Sequence, residues 1–483
     1  MKLLNLAYLS GAEFFAKILT FAAIAYLARA LGPVSFGYIE FAGSVMLCAG
    51  LIVDQGFGPY GAREIARAPE RTSTLTSEIV LTRFILALVA YLAVALFAFT
   101  LGRSSLLTML LLLYGLSLLG MPLLLQWVFQ GHDRMQTVAV IQLLRQTGYA
   151  LFIFAFVRSP EQIGMVPVAE VAGVGLAGIY GVWSYRRAFH VSWSPVRLSR
   201  RLFREGVPIG LSQLFWMVRM YGATVILGLV AVPADVGFFG AAMRILVALH
   251  AFIYLYYFNL LPSFSRAWLQ QGGQLGRLIA HSLHGIAWAA VLALGGWLLM
   301  APVIVGVVYG PAFAPAASVL LWLAGVAIAA LISGHYRFGL IAAGRQDAEM
   351  ASQFLGSLLA LVLLPFGYSR GGPNGAAAAL VLAEVVVWFA SWFWARRALG
   401  IGNQLEVLWR PALALLVGAG VVSAVPNNLA LRGSAFAIVI GLLALGSDRE
   451  LRDMIWRFAG GAVRWRRGQI AGRAARGAAD RLG

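Results

Sequence analysis

The residues of this chain best placed for chemistry are charged side chains that interrupt long apolar segments. A charge at the bilayer centre costs roughly 2.5–3.5 kcal/mol on insertion scales, so such a side chain is expected to face protein or water. Arg219 lies mid-segment and shares a helical face with Ser212 and Trp216. A guanidinium stays charged when buried and can grip phosphate with two hydrogen bonds. Arg219 is therefore a candidate anion ligand, and an ion pair with a neighbouring carboxylate is the alternative.

Two charged residues interrupt the first apolar segment of the chain. Glu13 and Lys17 are four residues apart, so they can pair with each other on one helix. Lys17 is also a candidate second cation for the same anion, with Glu13 as its counter-charge. The spacing leaves both interpretations open.

Two carboxylates, Glu170 and Glu384, lie in apolar segments at corresponding places in the two halves of the chain. They could balance the buried cations. They could instead couple transport to H⁺ or Na⁺, because burial favours the protonated form of a carboxyl group. A structural hydrogen bond to a neighbouring helix is the third interpretation.

Four more charges are weaker candidates. Arg145, Arg244 and Arg337 are possible substrate ligands, although Arg337 is close enough to a segment end to extend towards the interface. Asp54 lies at the end of the second segment, where it could act as a counter-charge. A structural role, holding the loop around 63–67, is the favoured interpretation.

Motifs for catalysis are weak. His281 and His284 are three residues apart but have no third ligand at metal-binding spacing, and no G-x-x-x-x-G-K-[ST] phosphate loop is present in the sequence. We therefore predict that the chain is not an enzyme and uses no cofactor, apart from a coupling ion.

The segments that carry these charges are typical of a membrane protein. The chain is 61% hydrophobic and only 12% charged, whereas soluble domains are about half apolar and a quarter charged. Residues 106–128, 286–308 and 312–334 contain no charged side chain, and each run can cross a hydrocarbon core of about 30 Å as a helix. Continuous apolar runs favour helices over a barrel. We predict an all-α integral membrane protein.

The pattern gives about 14 transmembrane helices. Their predicted spans are 6–30, 36–60, 79–101, 105–130, 137–157, 163–185, 206–231, 237–262, 280–309, 315–341, 350–370, 374–398, 409–427 and 432–446. With this topology most of the 37 Lys and Arg residues lie on one side. The positive-inside rule makes that side the cytoplasm and places both termini there. The net charge of +18 is thus a topology signal rather than a sign of nucleic-acid binding.

The chain also contains an internal repeat. Residues 31–39 are echoed by 231–239, with Pro33 matching Pro233 and Gly37 matching Gly237; residues 127–135 similarly resemble 341–350. Repeats of this kind place cargo between two halves. We predict an N-lobe over 1–190, a basic cytoplasmic linker over 191–205, a C-lobe over 206–400, two further helices over 401–446 and a basic amphipathic cytoplasmic tail over 447–483.

Three stretches, 27–37, 54–67 and 127–131, together resemble bacterial oligosaccharide flippases of the polysaccharide-export type, within the MATE-like exporter superfamily. The resemblance implies two six-helix lobes in a V around a cationic cavity. It implies that undecaprenyl-pyrophosphate-linked oligosaccharide crosses the bacterial inner membrane by alternating access, for O-antigen, capsule or exopolysaccharide synthesis. Membrane lipids, a polysaccharide polymerase and a chain-length regulator are the partners expected on this basis.

Three other functions fit parts of the sequence. A cation-coupled small-molecule exporter would favour carboxylates in its cavity, whereas cations lead here. A flippase for the peptidoglycan lipid precursor has a similar helix number and is poorly separated by sequence. A non-transporting scaffold would be better served by an uncharged bundle centre.

Overall fold

The computed structural model describes residues 3–54, 56–189, 202, 204, 214–270, 273–426, 428–449 and 451–452, without the side chains of 3–10, 12–14, 429 and 430. Most of the predicted linker and tail lies outside these residues. All regular elements within the described ranges are helical, as the continuous apolar segments predict.

Fourteen helices are labelled here in chain order. They are α1 Leu3–Asp54, α2 Phe57–Arg67, α3 Thr72–Leu101, α4 Ser105–Gly120, α5 Gln126–Gly131, α6 Met135–Phe156, α7 Met165–Ala188, α8 Leu214–Val230, α9 Pro233–Leu269, α10 Gln274–Tyr309, α11 Ala316–Ala342, α12 Gln346–Leu399, α13 Leu405–Ala424 and α14 Leu429–Ser447. Short 3-10 turns occupy Pro69–Arg71, Met121–Leu123, Pro160–Gln162 and Pro311–Phe313.

Ten helices of the described chain are long and apolar enough to cross a membrane, and α8 and α14 are shorter apolar helices. Two of the ten contain a break. Gly32 has a φ of 71° inside α1 and Gly372 has a φ of 57° inside α12, and a proline follows each of them, which removes a backbone donor. Each of these helices thus covers two predicted segments. The total of about 14 spans stays a prediction.

The chain forms two compact units. The first contains Met1–Ala251, Ala301–Ala327 and Met350–Val387. One of its cores is built around Phe57, Trp127 and Ile141, which are almost fully buried. The second contains Phe252–Met300, Ile328–Glu349 and Trp388–Gly483. The predicted lobe boundaries stay a prediction.

The second unit has two apolar clusters. Tyr257, Phe264 and Tyr336 are buried in the larger one, whereas Phe436 and Ile440 of α14 belong to the smaller one. Outside the cores, many large apolar side chains of both units are exposed, as a lipid-facing surface requires.

The two copies of the repeated motif contact each other in the first unit. A Cβ atom added to Gly37 would lie 1.8 Å from the Pro233 carbonyl oxygen, and one added to Gly237 would lie 2.2 Å from the Pro33 oxygen. The contact is thus reciprocal, and it requires glycine because the backbones touch. We call this contact between α1 and α9 the crossing.

Candidate substrate site

Arg219 lies in a π-helical turn, Val218–Gly222, inside α8. Its side chain is 1% exposed, and its Nε is 2.8 Å from Oε2 of Glu384, which is 0% exposed. Its Nη2 donates a hydrogen bond of 2.8 Å to Oε1 of Gln353. Two candidates from the sequence are thus brought together as a buried ion pair, and π-turns of this kind are frequent at functional sites.

A buried ion pair must recover the cost of removing two charges from water, and it does so only with good geometry and extra hydrogen bonds. Gln353 supplies one such bond. Ser357, one helical turn further along α12, donates a 2.7 Å bond to the Phe215 carbonyl and joins the same two helices. The pair therefore ties α8 to α12 while keeping a cation inside the bundle.

Arg145 of α6 and Glu170 of α7 form a second ion pair. Arg145 Nη2 donates a 2.7 Å bond to Glu170 Oε1. The two side chains are 32% and 25% exposed. Unlike Arg219, the Arg145 guanidinium therefore remains accessible while its partner holds it in place.

Arg244 of α9 pairs across the repeat with Glu40 of α1. Its Nε lies 3.1 Å from both carboxylate oxygens of Glu40, while the two terminal nitrogens take no part in these bonds. The Arg244 side chain is 27% exposed and the Glu40 side chain 5%. Glu40 was missed as a site residue. Continuing the repeat by one turn past Gly37 and Gly237 would have identified it, because Glu40 then aligns with Gly240.

Tyr149 is a buried side chain close to both of these ion pairs. It is 9% exposed and lies within electrostatic range of Glu170, Glu40 and Arg244. Glu40, Arg145, Tyr149, Glu170 and Arg244 are together called the central polar cluster. It draws on four helices, α1, α6, α7 and α9, and so on both sequence repeats.

Lys17 lies beside the helix that carries Arg145. Its side chain is exposed on α1, and Thr20, three residues later, donates a 2.6 Å bond to Oε1 of Gln146. Lys17 and Thr20 share one side of the helix, so Lys17 is directed towards the same region of α6. The side chain of Glu13 lies outside the described residues, which leaves the predicted Glu13–Lys17 pair a prediction.

The remaining candidates lie in other pairs. Arg337 Nη2 is 3.0 Å from Glu349 Oε1 in the second unit. Asp54 forms an ion pair with Arg83 of α3, whereas Arg67 pairs with Glu64 within α2. The contacts of Asp54 thus join the end of α1 to α3. Within the described residues, no three His, Cys, Asp or Glu side chains are grouped closely enough to hold a metal ion.

A family model described as "Polysaccharide biosynthesis protein" matches residues 3–268, more than half of the chain. The chain belongs to this family. A relative named as an O-antigen transporter in Escherichia coli (strain K12) is 24% identical over 396 residues, covering 79% of this chain and 93% of its own length. A second O-antigen transporter by name, from Shigella dysenteriae, is 23% identical over 232 residues, covering 47% of this chain and 58% of its own.

Solved structures show the same fold. Lipid II flippase MurJ, in an inward closed conformation, aligns with a TM-score of 0.69 and 14% identity over 92% of this chain and 99% of its own. An inward-facing MATE family multidrug resistance transporter of the MOP superfamily aligns with a TM-score of 0.67 and 15% identity over 80% and 94%. The predicted all-α membrane fold and the predicted family are confirmed. The prediction of a transporter rather than an enzyme is confirmed by the family and these relatives.

Proposed function

We propose that this family member moves lipid-linked oligosaccharide across the bacterial inner membrane by alternating access, delivering it for O-antigen, capsule or exopolysaccharide assembly. The family, the named relatives and the flippase fold support this proposal. The observation that carries it is the central polar cluster, because it places two partly exposed arginines within the membrane-embedded part of the first unit.

The chemistry of the cargo fits these arginines. A pyrophosphate carries two negative charges between a polar glycan and a polyprenyl tail, and it cannot cross hydrocarbon unaided. Arg145 and Arg244 would bind its oxygens through charge-assisted hydrogen bonds, with Lys17 as a third cation. The polar glycan would remain in contact with water while the polyprenyl tail stays in lipid.

Arg219 would contribute in a different way from the more exposed cations. It can bind the pyrophosphate only after release from Glu384, because the pair is buried. Glu384 and Glu170 are the proposed coupling sites for H⁺ or Na⁺, because each carboxylate holds a candidate arginine in an ion pair. Arg337 is proposed as a contact of lower rank because its side chain is only 16% exposed, less than those of Arg145 and Arg244.

The proposal is tested with purified protein in liposomes that contain a polyprenyl-pyrophosphate-linked oligosaccharide. We expect the wild-type protein to carry the glycan across, and Arg145→Gln combined with Arg244→Gln to slow transfer at least tenfold. Arg345→Gln is the control, since Arg345 forms an exposed ion pair with Asp347. Failure of the wild-type protein to move this lipid, or unchanged transfer by the double variant, would contradict the proposal.

A second arm of this assay tests coupling. Collapse of the proton and sodium gradients should slow net transfer by the wild-type protein. Unchanged transfer would exclude Glu170 and Glu384 as coupling sites. Parallel liposomes that contain the peptidoglycan lipid precursor test the alternative function, a flippase for that precursor.

A further inference from the structure

The crossing contains an asymmetry between the two copies of the repeat. At the 200-residue offset of the repeat, Glu40 aligns with Gly240 and Ser44 with Arg244. A Cβ atom on Gly240 would lie 2.6 Å from Cγ of Glu40. The missing side chain at 240 therefore makes the space that Glu40 fills, and one turn further along α9 the carboxylate meets Arg244.

Two further arginines join the repeats around the crossing. Arg29 of α1 donates a 2.9 Å bond to the Val308 carbonyl, in the last turn of α10, and also contacts the Val307 carbonyl. Arg103, just after α3, donates a 2.6 Å bond to the Gly228 carbonyl in the last turn of α8. Last-turn carbonyls have no partner within their own helix and lie at the negative end of the helix dipole.

These contacts differ in what can release them. The carbonyls that accept from Arg29 and Arg103 are fixed parts of the backbone. Glu40 is a side chain with a single negative charge, and it holds the one arginine of the three that also belongs to the central polar cluster. An anion arriving at that cluster therefore meets Glu40 as its competitor for Arg244.

We infer that Glu40 is an internal substitute for the substrate anion. In the empty protein it holds Arg244 across the crossing and keeps α1 and α9 together. A bound pyrophosphate takes its place on Arg244, and the buried carboxylate, deprived of its partner, no longer favours the closed crossing. Glu40 thereby makes the separation of α1 and α9 at the crossing depend on the binding of a doubly charged head group. This inference rests on the proposed function for the identity of the anion.

The test measures access to the crossing by cysteine labelling. Cys48, the single cysteine, is replaced by Ala, and Ala241→Cys is introduced beside Gly240, where the side chain is 0% exposed. A membrane-impermeant maleimide is applied to vesicles of both orientations. Ala242→Cys, also fully buried, is a second reporter if the first variant fails to fold.

We expect Glu40→Gln to raise the labelling rate severalfold without any ligand, from one side of the membrane. Glu64→Gln is the matched control: Glu64 is buried to a similar extent, and it forms ion pairs with Arg63 and Arg67 of its own helix. An unchanged rate with Glu40→Gln, or an equal rise with Glu64→Gln, would overturn the inference.

A ligand arm tests the competition itself. Geranylgeranyl pyrophosphate should accelerate labelling of the parent protein severalfold, and geranylgeraniol should not. In Glu40→Gln the rate should already be high and insensitive to the pyrophosphate. An equal response to pyrophosphate in both proteins would overturn the inference.

The liposome assay distinguishes this inference from the proposed function. If the wild-type protein fails to move the polyprenyl-linked glycan, the proposed cargo is wrong. In that case, two results would still support competition between an anion and Glu40 for Arg244: faster labelling of Glu40→Gln without ligand, and faster labelling of the parent protein with geranylgeranyl pyrophosphate. The substrate would then be an anionic lipid that does not carry this glycan.

Discussion

At the residue scale, the sequence identified most of the charged residues of the candidate site but did not determine which of them form ion pairs with one another. Arg219 and Glu384 were candidates for separate reasons, and the structure joins them in a pair at 2.8 Å. Residues 165 positions apart in the chain meet only through the packing of α8 on α12, which no local pattern encodes. Glu40 was missed because it lies just beyond the repeated motif, and Gln353 because an uncharged amide carries no signal in an apolar segment.

The Arg219–Glu384 pair yields a stability prediction. Glu384→Gln leaves a buried guanidinium without its counter-charge, which should destabilise the protein by roughly 3–5 kcal/mol. The double variant Arg219→Met with Glu384→Leu removes both charges and should be near neutral. Unfolding in detergent measures both. A single variant as stable as the parent would contradict the buried pair.

A second residue-scale prediction concerns Asp448, which follows α14 and is fully buried. Its Oδ2 accepts a 3.0 Å bond from the Trp288 indole and lies 2.8 Å from His284 Nε2. Burial by itself raises the pKa of Asp448, but the Leu451 backbone N–H, Trp288 and His284 together hold that pKa below its ordinary 3.8. The Asp448 carboxylate therefore links the end of α14 to α10 through its contacts with Trp288 and His284.

Asp448→Asn should lower the free energy of unfolding by roughly 1–3 kcal/mol at neutral pH. Because the folded pKa is depressed, the stabilisation is present above the unfolded value of 3.8 and is lost as the pH falls through the folded value. Unfolding of parent and variant, compared in detergent at neutral and at strongly acidic pH, checks this. A gap between the two that persists in acid would show that the charge is not responsible.

At the element scale, helix positions followed well from the sequence, because continuous apolar runs separated by Gly, Pro and Arg leave few alternatives. The sequence also placed two segment boundaries where the structure has breaks, near Gly32 and Gly372. The crossing was not predicted. The repeat showed that two motifs are related, but related motifs need not touch.

The crossing predicts a large difference between two glycines of α1. Gly37→Ala would place a methyl group 1.8 Å from the Pro233 oxygen, whereas a Cβ atom on Gly43 meets nothing within 4 Å. Gly37→Ala should force the backbones apart and cost about 1–3 kcal/mol, as overpacking does. Gly43→Ala should match the parent. Unfolding in detergent and labelling of Ala241→Cys measure both, and equal behaviour of the two variants would refute the contact.

At the scale of the whole molecule, composition and the continuous apolar runs were sufficient to predict the membrane fold, and the resemblance carried by three short stretches predicted the family. Hydrocarbon allows few ways to satisfy backbone polar groups, so an apolar chain of this kind has few architectures open to it. The packing of distant helices, which assembles the central polar cluster, depends on side-chain shapes along the whole chain. Arg145, Glu170 and Arg244 were therefore predicted as separate candidates rather than as an arrangement, and Glu40 and Tyr149 of the same cluster were not predicted.

The orientation in the membrane is the prediction that belongs to this scale. The bias of Arg and Lys predicts both termini in the cytoplasm and the turn at Pro160–Gln162 outside. Single cysteines near residue 2 and at Glu161 in the Cys48→Ala background, labelled in intact cells with an impermeant maleimide, test this. Only Glu161→Cys should react, and labelling of the terminal cysteine would reverse the topology.

Glu40 and Gly240 occupy corresponding positions in the two repeats and face each other at the crossing. This difference disfavours the pairing of either half with a second copy of itself. Two copies of the first half would bring Glu40 against Glu40, with no hollow and no arginine between them. Two copies of the second would leave Arg244 facing Gly240, with no carboxylate to pair with it. Only the mixed pair supplies a carboxylate, a space and a cation together, so this position favours one first half with one second half. Fragments separated within 191–205 and produced together should therefore associate as unlike pairs.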